Sequence, residues 1–571
     1  MSLYLSQAQT SHNGINILDS LKLRFLKSNN AEGEISVNGN SDSPIIKITT
    51  NTQPAFIYNL ASKIPLIHKE FKEGQVFLIS FKARTISSSL ETGEAKLLWL
   101  LRQSESHKDN LTNTISIGSD WQEFHIPFQA SRNILEKDFR VVFQYGFKPQ
   151  SLEMKDLTFE VFPMGTSLDA LPKTEISYVG MEPNAQWRVN AISRIEKLRK
   201  KDFILKFVSN GKTVENQSFS ISLKSHAFPF GAAINAKDVV EGTMKYNLFK
   251  ENFNLAVFEN DLKIKSWYRG KNAETTKKAM EILKSDGIDL KGHVLIWPGF
   301  NYLTNEYRQQ KNNPEAIKSL MGEHVQTMLV ETKGYTTQWD VVNEAYTNQD
   351  LQNITGSEEI LFDGFKMAKK LQPSSARFTN EYGIISKGGI DSKKQEWYYN
   401  FIKRIDENTG GLVDGIGIQC HIGSDLTSPE RVLKILTYYG SLGKKISISE
   451  FTMDIKDPQL REQYTRDFMI AAFSHPNVSE FLFWGYMEEE SKKVDIFKSN
   501  GEIGSMGKAY FGLVKGAWHT KFNASTDNQG YIKNRGFFGT YEYQTVVDGQ
   551  LKTGTFTLGK DQNSIITINL E

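Results

Sequence analysis

Between residues 226 and 517 the chain alternates short apolar segments with amphipathic ones, and this rhythm limits the fold more than any other feature. Apolar runs of strand length stand at AFPFGAAI (227–234), FNLAVF (253–258), LKGHVLIW (290–297), TTQWDVVN (336–343), ARFTNEY (376–382), VDGIGIQC (413–420), KKISISE (444–450) and EFLFWGY (480–486). Between them lie segments of helical spacing, such as AETTKKAMEILKSDG (273–287), PEAIKSLMGEHVQTMLVETKG (314–334) and LREQYTRDFMIAAFSH (460–475). Strands buried on both faces read as near-continuous apolar runs, and parallel neighbours are joined through crossover helices. Eight strands in this pattern predict an α/β fold, a closed (β/α)8 TIM barrel. A doubly wound open sheet would want a glycine-rich phosphate turn after an early strand, and the sequence has none.

At 571 residues the chain is too long for one core. Residues 1–165 carry short alternating or apolar runs such as VFLISFKAR (76–84), AKLLWLLRQ (95–103) and WQEFHIPFQ (121–129), with no convincing helix between them. That region is expected to be a β-sandwich domain. Residues 166–225 read as a linker and β lead-in, 226–517 as the barrel, and 518–571 as a small C-terminal β appendage with a hairpin.

Charge excludes some partners. The 68 basic and 66 acidic residues give a net charge of +2, which offers no general attraction to nucleic acid or membrane. No apolar stretch reaches the 18 or more residues of a membrane span. The single cysteine, Cys420, excludes an internal disulfide and reads as a small buried strand residue. The opening MSLYLSQAQTSHNG has neither the basic start nor the apolar run of a signal peptide.

In a barrel of this kind the working groups project from the C-terminal strand ends. Glu259, His293, Trp297, Glu344, Glu381, Gln419, His421, Glu450 and Trp484 all fall at or just past such ends. Two carboxyl groups facing each other across a barrel mouth suit glycosidic cleavage. One is protonated to release the leaving oxygen, and the other is ionised to attack the anomeric carbon. Glu344 follows the apolar WDVV strand, which favours its protonated form and an acid role. Glu450 ends an equally apolar strand, with His421 on the preceding strand placed to orient it. The histidines His293 and His421 lack paired metal-ligand spacing, so no metal site is expected. No GxSxG turn supports serine chemistry.

These residues carry a resemblance. WDVVNEAY (339–346), ISISEF (446–451), GHVLIW (292–297), VDGIGIQCH (413–421) and FWG (483–485) resemble the motifs of family 10 glycoside hydrolases, the retaining endo-1,4-β-xylanases. The resemblance implies Glu344 as acid/base and Glu450 as nucleophile. Through FENDLK (258–263) it implies Glu259, Asn260 and Lys263 as binders of the sugar on the non-reducing side of the cleaved unit. His293, Trp297, Asn343, Gln419, His421 and Trp484 would line the site of the cleaved sugar. The sequence departs from the pattern at Pro298 and Phe300, where His and Gln are usual, at Ile264, and at Thr452, where an Asp normally supports the orienting histidine. Asp454 stands nearby as a candidate substitute.

The sandwich segments FLISFKART, DWQEFHIPF and FQYGFKPQSLEMKDLTFEVF resemble carbohydrate-binding modules often joined to such barrels, with Trp99 and Trp121 as candidate platforms or core residues. The expected partner is xylan or a related β-1,4-glycan, with no cofactor; a monomer is expected, and the function places it outside the cell or in the periplasm. Two rival readings remain: a retaining hydrolase of another β-1,4-glycan, or a catalytically silent glycan-binding protein.

Overall fold

A computed structural model describes residues 14–39, 44–68, 70–103, 109–135, 139–489, 493–547 and 549–570. The expectation about a signal peptide concerns residues 1–13, which lie outside the described residues. The chain divides into two compact units, residues 1–179 with 424–431, and residues 180–423 with 432–571.

The first unit contains two sheets. One has seven strands, among them Ile45–Thr50, Val76–Ser88, Gln122–Gln129 and Gln150–Phe162; the other has four, including Ala95–Gln103 and Phe139–Gln144. Strand alternation sends Phe77, Ile79, Phe81 and Ala83 to one face, where they join Trp99, Leu97 and Phe143 in one core. Trp99 is fully buried there, against Phe81 at 5.3 Å and Phe143 at 5.6 Å between ring centroids. Trp121 has Arg84 over its ring at 4.8 Å and Lys155 at 4.4 Å.

The second unit is built on a closed parallel barrel. Its strands are β1 (Phe230–Ile234), β2 (Leu255–Phe258), β3 (Asp289–Ile296), β4 (Thr336–Asn343), β5 (Ala376–Glu381), β6 (Gly415–Ile418), β7 (Lys445–Met453) and β8 (Val478–Phe483). Each pairs in parallel with the next, and β1 pairs with β8 to close the ring. Helices return the chain between strands, including Pro314–Glu331, Ser392–Thr409 and Pro458–Phe473. The side chains of Asn313, Asp391 and Asp457 cap their first turns, and Pro314 and Pro458 occupy first-turn positions where no N–H is needed. Gly292 on β3 sits in register with Trp339 on β4, and a Cβ there would collide with the indole. That close approach explains why a glycine precedes His293.

The lead-in and the C-terminal appendage, separate in sequence, pair with each other. Lys200–Ser209 lies between Tyr531–Phe537 and Ile565–Asn569, and Ser218–His226 between Lys521–Ser525 and Gly539–Val547. The two resulting sheets face each other through Phe207 and Phe219, whose ring centroids are 3.8 Å apart. Local spacing could not reveal this partnership, because about three hundred residues of barrel separate its halves.

Candidate active site

The barrel delivers its polar residues to one end. β4 ends at Asn343, and the chain turns at Glu344, a non-glycine residue at φ 55° whose N–H donates to the Asn380 carbonyl at 2.9 Å. A second left-handed residue, Cys420 at φ 60°, separates Gln419 from His421 beyond β6. Such conformations cost a non-glycine residue energy and persist where surrounding bonds fix them. Here they turn Glu344 and His421 toward the mouth.

A chain of hydrogen bonds joins the two carboxylates. Gln419 Nε2 donates to Glu344 Oε1 at 3.0 Å and approaches Asn343 Oδ1 at 3.3 Å. Asn380 Nδ2 donates to the same Asn343 oxygen at 3.1 Å and to Glu450 Oε1 at 2.7 Å. Ser449 Oγ in turn donates to Asn380 Oδ1 at 2.6 Å, so the amide cannot flip without losing partners. His421 Nε2 lies 3.2 Å from the other oxygen of Glu450.

The environments of the two groups differ. Burial pushes the Glu344 carboxyl above the usual range; Gln419 opposes this and Glu450 adds to it. Burial alone would raise Glu450 as well. The hydrogen bond from His421 and the field of His293 outweigh it and hold Glu450 below its ordinary value. The opposite shifts open a pH window between the two groups in which Glu344 is protonated while Glu450 is ionised.

Lys263, Trp297 and Trp484 cluster beside these groups. The Lys263 ammonium lies 5.1 Å from the Trp297 ring and 5.7 Å from the Trp484 ring, and donates to Asn260 Oδ1 at 3.1 Å. Burial lowers its affinity for the proton, while Glu450, Glu259 and Glu344 oppose that effect. Tyr302 stacks on Trp297 with centroids 3.5 Å apart. His293 stands edge-on to Trp484 at 5.2 Å. The residues singled out in the sequence, Glu259, Asn260, Lys263, His293, Trp297, Asn343, Glu344, Gln419, His421, Glu450 and Trp484, therefore gather at one end of the barrel.

Beneath them lies a sealed polar layer. His293 Nδ1 is 2.9 Å from Asp340, whose other oxygen meets Lys291 at 3.2 Å. Lys291 also reaches Glu480 at 3.0 Å and Ser447 at 3.2 Å, and Gln338 donates to Glu480 at 2.6 Å. Unpaired, each buried charge would cost several kcal/mol; here every one has an opposite charge and hydrogen bonds.

Two points go beyond the sequence reading. His421 Nδ1 is 3.0 Å from Thr452 Oγ1, so the threonine occupies the supporting role of the missing carboxylate. Asp454 instead pairs with Lys493 at 2.5 Å and does not substitute. Asn380, Thr452, Tyr302 and the Lys291 layer were not singled out as site residues. Asn380 had a signal, since it precedes Glu381 at the end of β5, but amides are common at strand ends.

Residues 220–503 match the sequence model of glycosyl hydrolase family 10. The chain is similar to the anti-sigma-I factor RsgI6 of Acetivibrio thermocellus, 28% identical over 405 residues, covering 69% of this chain and 51% of that protein. It is similar to endo-1,4-beta-xylanase 1 of Arabidopsis thaliana, 28% identical over 388 residues, covering 66% of this chain and 40% of the relative. The chain thus spans about half the length of these relatives or less. Among solved structures, xylanase 10B from Thermotoga petrophila in complex with xylobiose is 22% identical, with a TM-score of 0.46, over 51% of this chain and 94% of that one. The family match spans the barrel and every catalytic-site motif described above, and residues 220–503 of this chain belong to glycosyl hydrolase family 10.

Proposed function

We propose that the barrel is a retaining endo-1,4-β-xylanase that works in xylan breakdown. Glu450 attacks the anomeric carbon while Glu344 protonates the departing sugar oxygen. The glycosyl-enzyme is then hydrolysed by a water that Glu344, now ionised, deprotonates. Asn380 and His421 hold the attacking oxygens, and Gln419 steadies the acid. The observation that carries this reading is the opposed environment of the two carboxyls, joined by Gln419, Asn343 and Asn380. Similarity to the endo-1,4-beta-xylanases of Arabidopsis thaliana supports xylan as the polymer.

The first unit is read as a polymer-holding accessory. Phe56 and Tyr58 support this: their rings stack 5.1 Å apart at an interplanar angle of 5°, and both are more than half exposed. Flat exposed rings suit the apolar faces of sugars. A polymeric substrate also supports an extracellular or periplasmic site of action, and the chain is proposed to act as a monomer.

The test is reducing-end release from a panel of xylans and β-1,4-glucans, with the first-formed anomer followed by NMR. Xylan turnover releasing the β-anomer first supports the reading. Turnover confined to glucans moves it to another β-1,4-glycan, and no turnover leaves a silent glycan binder. The engaged Thr452 favours catalysis over silence, since it gives the orienting histidine its support.

A further inference from the structure

One buried ion pair beside the site is used by neither catalytic step. Glu381 ends β5 and is 1% exposed; Lys394, in the first turn of the helix Ser392–Thr409, is 3% exposed. Their charged ends are 2.9 Å apart. Glu381 also accepts the Tyr346 N–H at 3.2 Å on one oxygen and the Tyr382 N–H at 3.1 Å on the other. Tyr346 lies two residues past Glu344, in the turn that Asn348 closes by donating its N–H to the Glu344 carbonyl at 3.2 Å. The Lys394 ammonium sits over the Tyr382 ring at 3.2 Å and near the Tyr346 ring at 5.2 Å. Backbone bonds complete the frame: Asn380 accepts from the Glu344 N–H, and Glu381 from the Gln419 N–H at 3.2 Å. The pair thus grips the chain on both sides of the Glu344–Gln419 contact.

We propose that Glu381 and Lys394 are a positioning pair for Glu344, fixing the turn that presents it and setting one buried ammonium and one buried carboxyl beside its own. The inference rests on the reading of Glu344 as acid/base. Bulky neighbours alone could hold a turn; a sealed pair of opposite charges also acts on the proton that Glu344 must give. Lys394 favours the ionised form of Glu344, while Glu381 and Glu344 disfavour each other's charge. Burial pushes Glu381 up to about 7 against the pull of Lys394, so its charge changes near the pH at which an acid catalyst must stay protonated. Besides Lys394 and Glu344, the titratable groups coupled to Glu381 are the phenols of Tyr346, Tyr398 and Tyr439. Besides the pair itself, those acting on Glu344 are Glu450, His293, Lys263 and Tyr302.

The two members should act with opposite sign. Glu381→Gln removes a negative charge and leaves Lys394 unmatched, so Glu344 loses its proton more readily. The alkaline limb of kcat/KM should then move to lower pH. Lys394→Met removes the cation, and the limb should move to higher pH. Each shift is expected on the order of half a unit, below the one to three units of a directly contacting pair. Lys394→Arg keeps the charge and should leave the limb in place. The full chain is assayed across pH on the polymer that the unmodified protein cleaves, so failure on xylan alone does not count against the pair. Equal displacement of the limb in both charge-removing variants, or loss of kcat at every pH with the limb unmoved, would overturn the proposal in favour of a purely structural clamp. If either variant fails to fold, Glu381→Asp is compared with Lys394→Arg; an unshifted limb in both, with wild-type rates, supports the charge role. A shift in the arginine variant overturns it.

Discussion

The barrel and the N-terminal sandwich spend their interiors differently. The sandwich buries rings: Phe77 stacks on Phe128 at 4.9 Å, Phe81 on Phe124 at 5.3 Å, and Trp99 packs between Phe81 and Phe143. Among the described residues its charged pairs, such as Arg84 with Glu153, are partly exposed, with buried Lys96 and Glu94 an exception. The barrel buries Lys291, Asp340, Glu381, Lys394, Glu450 and Glu480, each no more than 5% exposed. Burying rings is favourable by about 25 cal/mol per Å² of apolar area, whereas burying ions is costly unless each finds partners. The two regions therefore answer to different demands. A sandwich core needs only to fold, while the barrel interior holds charged groups that act on the two candidate carboxyls, Lys394 on Glu344 and Asp340 on Glu450.

The sharpest test of that contrast is Glu450→Ala. It removes the attacking oxygen, and neither Asn380 nor His421 can replace it. Hydrolysis of every glycoside should fall by about 10⁴-fold or more, with the fold intact. Azide should restore part of the turnover on an activated glycoside with inversion, by occupying the vacated space. Substantial hydrolysis by the unrescued variant would falsify the nucleophile assignment.

Glu344→Ala ranks next. An acid matters in proportion to how badly the leaving group needs a proton, so polymer cleavage should drop by about 10²–10⁴-fold. The first step on a dinitrophenyl glycoside should survive, and a burst should precede slow turnover, because the base that activates water is gone. Over pH, the unmodified enzyme should rise as Glu450 ionises, below the ordinary carboxylate range, and fall as Glu344 ionises, above it. Equal collapse of the first step on both substrates would remove Glu344 from the acid role.

Much of this site was legible because its residues follow a rule that one sequence can display: polar groups ending apolar strands. Glu344 and Gln419 obey it, each just past its strand, whereas Glu450 lies inside β7, which runs on to Met453. Asn380 obeys it too, yet its worth lies in touching Asn343 and Glu450 across neighbouring strands, and cross-strand register is invisible locally. Lys291 was hidden for a related reason. A lysine inside an apolar run reads as an edge residue until the ring closes and sets Asp340 and Glu480 against it. The pairing of 200–226 with 521–569 depends on contacts across the whole barrel.

Thr452 refines the contrast on a smaller scale. A threonine hydroxyl can donate to His421 Nδ1, leaving the Nε2 hydrogen for Glu450; a carboxylate there would need a second ring proton. Thr452→Val keeps the shape and removes that donor. A neutral hydrogen bond contributes about 1 kcal/mol, so kcat/KM should fall about fivefold, with stability nearly unchanged. An unaltered rate would mean that packing alone orients His421.

The smallest effect is expected in the sandwich, and it decides whether aromatic rings there work or only fill space. A sugar stacks on an open ring face, and the Trp121 ring carries Arg84 at 4.8 Å and Lys155 at 4.4 Å. Trp121→Ala should therefore leave retention on insoluble xylan unchanged within twofold. Each exposed cation–ring interaction contributes about 0.5–1 kcal/mol, so removing the ring should lower Tm modestly. Among the described residues no cation covers the exposed pair Phe56 and Tyr58 in its stacked arrangement. Replacing both with Ala should lower retention while leaving cleavage of short soluble oligosaccharides at the unmodified rate. The opposite ranking, with retention abolished in Trp121→Ala and kept in the double variant, would show that the two cations move aside for a sugar. The sandwich would then hold its working residues behind charge, much as the barrel does.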